Sequence, residues 1–192
     1  QLLRRMVDEK CDVAVMEVSS QSLKLNRVDG CKFEIGVFTN FSKDHISQKE
    51  HQSMEEYYES KVKLFTMCKY GFINSDDIYA NKLPELVPEC TFKTYGIDNP
   101  SELLAKDITV TNSSVDFKVK IGDKNQRVKT GIPGRFSVYN SLAAISVASR
   151  FNCSVENIQE SLLNVRVPGR SELVDNCLLY TSPSPRDGAT SR

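Results

Sequence analysis

Asp12-Val-Ala-Val-Met-Glu-Val-Ser-Ser20 and Lys32-Phe-Glu-Ile-Gly-Val-Phe-Thr-Asn-Phe-Ser-Lys-Asp-His45 decide how this chain is read. Each is an apolar run of strand length that breaks into acidic, hydroxyl, amide or imidazole side chains. Such runs are typical of strands buried on both faces of a parallel sheet. Open α/β sheets bind ligands just beyond the carboxyl ends of their strands. The two polar endings therefore predict a catalytic crevice.

The segments that follow alternate helices and strands. Ser53 with Glu56 three residues later is a capping-box pattern. Tyr57, Lys61, Leu64, Phe65 and Cys68 then share one helical face, predicting a helix over 54–69. Gly71-Phe-Ile-Asn74 predicts a short strand ending in Ser75-Asp76-Asp77, which completes a βαβ unit. Between Asp107 and Thr130, the alternation Val115, Phe117, Val119, Ile121, the turn Gly122-Asp123 and Val128 predict an antiparallel hairpin. Small residues dominate a helix predicted over 137–151, and Ser154 with Asn157 opens another that ends near Val165. The expected fold is α/β: a mostly parallel Rossmann-like sheet flanked by helices, with an added antiparallel hairpin.

Composition bounds the function. The 192 residues are 40% hydrophobic, and 25 Lys and Arg balance 25 Asp and Glu. That is enough apolar content for a substantial core, with no polycationic signature for nucleic acid. No apolar run approaches the roughly 20 residues that cross a bilayer, and no signal peptide opens the chain, so a soluble cytoplasmic protein without membrane partners is expected. Cys11, Cys31, Cys68, Cys90, Cys153 and Cys177 show no C-x-x-C spacing, so neither a zinc site nor a disulfide framework is expected. Most of them are expected to be small buried hydrophobes.

Both ends read as cut. The chain opens on Gln1-Leu-Leu-Arg-Arg5, a helix already under way, and Cys177-Leu-Leu-Tyr-Thr-Ser-Pro-Ser-Pro-Arg-Asp187 matches the translation of a transposase-adapter oligonucleotide used for sequencing libraries. Residues 177–192 are accordingly set aside from the fold.

Several residues suggest chemistry. A carboxylate beside hydroxyls suits a hard Mg²⁺ ion, which makes Glu17 a metal candidate; the competing reading has Glu17 pairing locally and Ser19-Ser20 starting a helix. Lys61 lies on a mainly apolar helical stripe, where desolvation penalises its charged form. Snorkelling or a salt bridge to Glu55 or Glu59 would relieve that penalty. His45 follows Asp44 just after a strand, a position unsuited to core packing.

Taken together, Glu17-Val-Ser-Ser20, Arg27, Val37-Phe-Thr-Asn-Phe-Ser-Lys-Asp-His45, Met54-Glu-Glu-Tyr-Tyr-Glu-Ser-Lys-Val-Lys-Leu-Phe65, Ile73-Asn-Ser-Asp-Asp77, Gly134-Arg-Phe-Ser-Val-Tyr-Asn-Ser-Leu-Ala-Ala-Ile145 and Val167-Pro-Gly-Arg-Ser-Glu172 resemble the Mur ligase superfamily, in its order and across most of residues 11–175. The resemblance is to its UDP-N-acetylmuramoyl-tripeptide synthetase branch. It implies a central ATP-binding domain over residues 1–165, with the start of a carboxyl-terminal domain over 166–176. No G-x-x-x-x-G-K-[ST] loop occurs in the chain; the resemblance places that loop upstream of Glu17.

The resemblance also assigns roles. Lys61 would be carbamylated by CO₂ and join His45 at one Mg²⁺, with Glu17 holding another between the ATP β- and γ-phosphates. Asn140 and Arg170 would contact the nucleotide, although helix capping would also explain Asn140 and pairing with Glu172 would explain Arg170. Ser19 and Arg27 would contact UDP-N-acetylmuramoyl-dipeptide. Leu25 departs from relatives that carry glutamine there, and Arg27 reads equally as a surface charge. His51, six residues after His45 where relatives space two histidines by four, is expected to be exposed, unless the loop carries a two-residue insertion.

The implied reaction phosphorylates the dipeptide carboxylate with ATP and lets the amine of a diamino acid, diaminopimelate or lysine, displace the phosphate. A monomer is expected, and the 192-residue chain alone is expected not to turn over. The alternatives are another Mur-type ligase, a folylpolyglutamate or cyanophycin synthetase relative, or a non-catalytic nucleotide-binding module.

Overall fold

The computed structural model describes residues 2–42 and 51–167. Its centre is a four-stranded parallel sheet in the order β1 (Phe33–Phe38), β2 (Cys68–Asn74), β3 (Thr91–Gly96) and β4 (Leu103–Leu104). Helices α1 (Leu2–Asp8) and α2 (Ser20–Lys24) precede the sheet, α3 (Met54–Phe65) crosses from β1 to β2, and a 3-10 turn leads into the single-turn α4 (Leu83–Leu86) before β3. A separate antiparallel sheet, β5 (Lys106–Val110), β6 (Val115–Ile121) and β7 (Lys124–Thr130), leads to α5 (Phe136–Arg150) and α6 (Val155–Asn164).

Alternation along each central strand serves two cores. In β2, Ile73 packs with Phe38, Phe65, Leu83 and Val87 on one face. Phe72 packs on the other with Tyr95, Phe117, Val128, Leu142 and Ile145. The parallel sheet is thus covered by α3 and the α4 segment on one side and by α5 and the antiparallel sheet on the other, which is why its strands read as apolar runs. Across this sandwich the Tyr95 hydroxyl, fully buried, donates to the Phe38 carbonyl at 3.0 Å.

Local signals in the sequence are realised in detail. The Ser53 hydroxyl accepts from the Glu56 amide at 3.1 Å, and the Glu56 carboxylate accepts from the Gln52 amide at 2.7 Å, one residue earlier than a standard capping box. Ser154 caps α6 in the same way, accepting from Asn157 at 3.2 Å. Gly122, at φ 59°, takes the left-handed position of the two-residue β6–β7 turn.

Four expectations change. Residues 12–18 form no strand; Val13, Val15 and Met16 are exposed, Val15 to 91%. A strand needs a neighbour to pair its amides and carbonyls, and among the described residues none runs beside this segment. Helix α3 stops at Phe65, because Cys68 already belongs to β2. The expected hairpin is a three-stranded sheet, since Lys106–Val110 adds β5 to it. Of the described cysteines only Cys68 and Cys90 are buried, whereas Cys11 and Cys153 are exposed; no cysteine is called upon by the site below.

Candidate active site

The carboxyl ends of the parallel strands form one rim, where the polar residues after β1 and β2 emerge, whereas Glu17-Val-Ser-Ser20 follows no strand. Beyond β1 the chain passes through Thr39, Asn40 and Phe41; beyond β2 come Ser75, Asp76 and Asp77; beyond β3 come Ile97, Asp98 and Asn99. Phe41 turns its ring into an aromatic cluster, 4.5 Å from Tyr57 and 4.4 Å from Tyr79 between centroids. Tyr58 closes this cluster and donates from its hydroxyl to the Tyr79 carbonyl at 2.8 Å.

Lys61 sits one turn along α3 from Tyr57. Its Nζ lies 5.2 Å from the Tyr57 ring centroid and 5.7 Å from that of Phe38. Burial pushes its pKa below the ordinary lysine value, and the Asp77 carboxylate partly opposes that shift. Neither Glu55 nor Glu59 forms an ion pair with Lys61 among the described residues, so the salt-bridge reading fails. What holds the ammonium is two π faces and a nearby carboxylate. An amine in this setting gives up its proton more readily than a solvated one.

The segment bearing Glu17 is fastened to the start of α3. Ser19 caps α2, accepting from the Ser22 amide at 3.1 Å. Next to it, Ser20 Oγ lies 2.8 Å from His51 Nε2. Lys24 on the same helix pairs with Glu56 at 2.7 Å. His51 is 1% exposed and packs 5.0 Å from the Tyr57 ring, so the expectation of an exposed His51 is wrong.

The individual site residues fare differently. Glu17, Ser19 and Arg27 are all exposed, with Ser19 serving as a helix cap. No hydrogen bond or ion pair joins Glu17 to Lys61, and among the described residues no three His, Cys, Asp or Glu side chains gather as a metal cluster. His45 and Arg170 lie outside the described residues. Asn140 is exposed in the amino-terminal part of α5, but the cap position belongs to Arg135, so capping does not explain it.

Sequence reasoning gave no role to Asp77 or to the aromatic cluster. Asp77 Oδ2 accepts from the Phe41 amide at 2.9 Å, while Oδ1 accepts from Tyr79 and Ala80 at 2.8 and 3.1 Å. The adjacent acids after an apolar strand were the available signal. Contact between Phe41 and Tyr57 was not legible, because it depends on how β1 and α3 pack.

Known proteins share the sequence pattern and the fold. The Mur ligase middle domain family matches residues 1–148. The UDP-N-acetylmuramoyl-L-alanyl-D-glutamate–2,6-diaminopimelate ligase of Caldanaerobacter subterraneus subsp. tengcongensis is 46% identical over 176 residues, covering 91% of this chain and 36% of that protein. A second such ligase, from Clostridium acetobutylicum, is 41% identical over 179 residues, with 93% and 36% covered. A solved structure of a ligase of that name superposes with a TM-score of 0.71 at 27% identity, covering 80% of this chain and 33% of the other. The chain therefore spans about a third of the length of the relatives it matches. With the family matched over residues 1–148 and its fold shared with a solved ligase over 80% of the chain, this protein belongs to the Mur ligases, through their middle domain.

Proposed function

We propose that this chain is the nucleotide-binding portion of an ATP-dependent ligase that joins diaminopimelate to UDP-N-acetylmuramoyl-L-alanyl-D-glutamate in peptidoglycan precursor synthesis. Diaminopimelate is preferred to lysine because both relatives described above carry it in their names. The observation that carries the reading is the seat of Lys61, a half-buried lysine at the strand-end rim, held by Phe38 and Tyr57 and unpaired with the glutamates of its own helix. Nucleotide-linked and ATP substrates place the reaction in the cytoplasm. No helix among the described residues is long and apolar enough to cross a membrane.

The residues present fit Mg²⁺ on the chemistry of their donors. Glu17 offers an exposed carboxylate, and Lys61 offers an amine whose protonated form burial disfavours. A neutral amine adds CO₂, forming an N–C bond and releasing one proton, and the product is an anion with two carboxylate-like oxygens. That reverses the sign of the charge at Lys61 from one that repels a cation to one that binds it. Glu17 would hold one Mg²⁺, and His45 with the carbamylated Lys61 another; with ATP present, such metal would neutralise charge on the transferring phosphoryl group.

The remaining residues bind and orient. Asn140, free of capping duty, presents its amide to the nucleotide, and Arg170 adds a permanent positive charge suited to phosphate. Ser19 and Arg27 face the acceptor substrate. Preorganised donors of this kind act chiefly by meeting the charge that develops in the transition state.

A chimaera tests the reading. Residues 2–167 are exchanged into the Caldanaerobacter ligase in place of its matching segment, and tripeptide formation is followed with diaminopimelate or lysine. ATP-dependent product with diaminopimelate, lost in Lys61→Ala, is the expected result. Product formed equally well with Lys61→Ala would sink the assignment.

A further inference from the structure

We propose that Asp76 and Asp77 are positioning residues that tie the two halves of the rim together, Asp77 holding the chain beyond β1 against the Lys61 face and Asp76 holding Tyr139 beside Asn140. The inference rests on the nucleotide role given to Asn140 above.

The two side chains leave the same turn in opposite senses. The turn itself is fixed by Asn74, whose Oδ1 accepts from the Asp76 amide at 3.0 Å. From there Asp77 reaches back across the sheet to the Phe41 amide, 36 residues earlier. The Phe41 ring rests on Tyr57, one turn before Lys61. One carboxylate thus sets where the β1 loop lies relative to the candidate metal side.

Asp76 reaches forward. Its Oδ2 accepts from the Ile97 amide at 2.7 Å and from the Tyr139 hydroxyl at 3.0 Å, and its Oδ1 accepts from the Asn99 amide at 2.7 Å. The Asp98 amide lies 3.1 and 3.3 Å from the two oxygens. Asp98 in turn pairs through its own carboxylate with Arg135, the residue that precedes α5, at 2.6 Å. The start of α5 is therefore gripped at two points, Arg135 and Tyr139, both leading back to Asp76. Asn140 is the next residue along.

An acid is needed at both positions because the amides beyond β3 and at the start of the 3-10 turn have no ladder partners. A carboxylate accepts several such bonds at once, and charge-assisted ones are the stronger kind. A purely structural role would predict lost stability without any change at Asn140. Positioning predicts a change there.

The test uses the chimaera described above, ¹⁵N-labelled over residues 2–167 so that the segment upstream of Glu17 is present, titrated with Mg·ATP. In the wild type the Asn140 side-chain amide shifts saturably. Asp76→Asn weakens the apparent affinity about tenfold, the equivalent of one charge-assisted hydrogen bond. The Tyr139 phenol, pushed up to about 12 by burial and by Asp76, moves back toward an ordinary tyrosine in the same variant. Tyr139→Phe removes one contact only, and it carries the test if Asp76→Asn does not fold.

Asp77→Asn should speed exchange of the Phe41 amide at least about tenfold. Wild-type affinity in both Asp76→Asn and Tyr139→Phe, or unchanged Phe41 exchange in Asp77→Asn, would overturn the proposal alone. A wild-type chain whose Asn140 never responds to Mg·ATP would remove the nucleotide reading of Asn140, and this proposal with it.

Discussion

Replacing Tyr95 by phenylalanine should loosen the rim from beneath. Tyr95 is fully buried in β3, and its hydroxyl crosses β2 to donate to the Phe38 carbonyl at 3.0 Å. Phe38 is the last residue of β1, so this bond fixes the point from which Thr39, Asn40 and Phe41 depart. Removing the hydroxyl forfeits a net hydrogen bond of about 1 kcal/mol and leaves a buried carbonyl with a weaker set of partners, for a total of about 1–2 kcal/mol. The ring stays, so the packing loss is small. For a chain of this size that corresponds to a melting midpoint lower by about 3–6 °C. Denaturant unfolding should show a lower midpoint with an unchanged slope, since the surface exposed on unfolding is the same. Tyr70→Phe, at a half-buried tyrosine whose hydroxyl makes no hydrogen bond among the described residues, serves as the control and should stay within about 0.5 kcal/mol. A Tyr95→Phe protein as stable as the wild type would show that the hydroxyl does not bridge β3 to β1, and the reasoning about the rim would fail.

Other perturbations separate packing, charge and chemistry. Gly71→Ala places a Cβ 2.4 Å from the Phe92 ring and 3.1 Å from Phe65, so calorimetry should show a loss of about 1–3 kcal/mol. Burial alone pushes Asp76 up, but the amides of Ile97, Asp98 and Asn99 and the Tyr139 hydroxyl together hold it below the usual carboxylate range. A depressed carboxylate contributes stability that is complete above its unfolded value of about 3.9 and is lost as pH falls through the folded one. Asp76→Asn should therefore flatten the acid limb of the stability curve below about pH 4, and an unchanged limb would refute this. Lys61→Met removes a cation that burial disfavours, at the expense of two cation–π contacts, so stability should be kept or raised while ligation by the chimaera is lost. A strongly destabilised but active Lys61→Met protein would contradict both expectations.

Much of the fold was legible because local and tertiary signals agreed. The capping serines at 53 and 154, the apolar run of β1 and the Gly122 turn each appear where the sequence puts them. Residues 12–18 misled because an apolar run states that a segment is buried only when a neighbour exists to bury it, and here Val15 stands in solvent. Strand β3 was missed because Thr91-Phe-Lys-Thr-Tyr-Gly96 holds no continuous apolar run, although its threonines suit a strand. Only Phe92 and Tyr95 face the two cores, one on each side. The site was legible in part. Lys61 could be placed on an apolar face by helical spacing, yet Phe38, whose ring faces its Nζ, and Phe41, which stacks on Tyr57, come from β1 and the loop beyond it, which spacing within α3 cannot reveal. His51 was misplaced because a histidine after a polar loop reads as exposed, whereas its Ser20 partner lies 31 residues away.

The claim on which the rest depends is that Glu17, the loop beyond β1, Lys61 and Asn140 serve one metal–nucleotide complex. Titrating the chimaera, labelled over residues 2–167, with Mn²⁺·ATP, in which the paramagnetic ion broadens nearby resonances, tests it directly. The account predicts that amides flanking Glu17 and Lys61 broaden together, with weaker broadening at Asn140. Broadening confined to scattered surface acids such as Asp29 and Glu85, with Lys61 and Glu17 untouched, would contradict it.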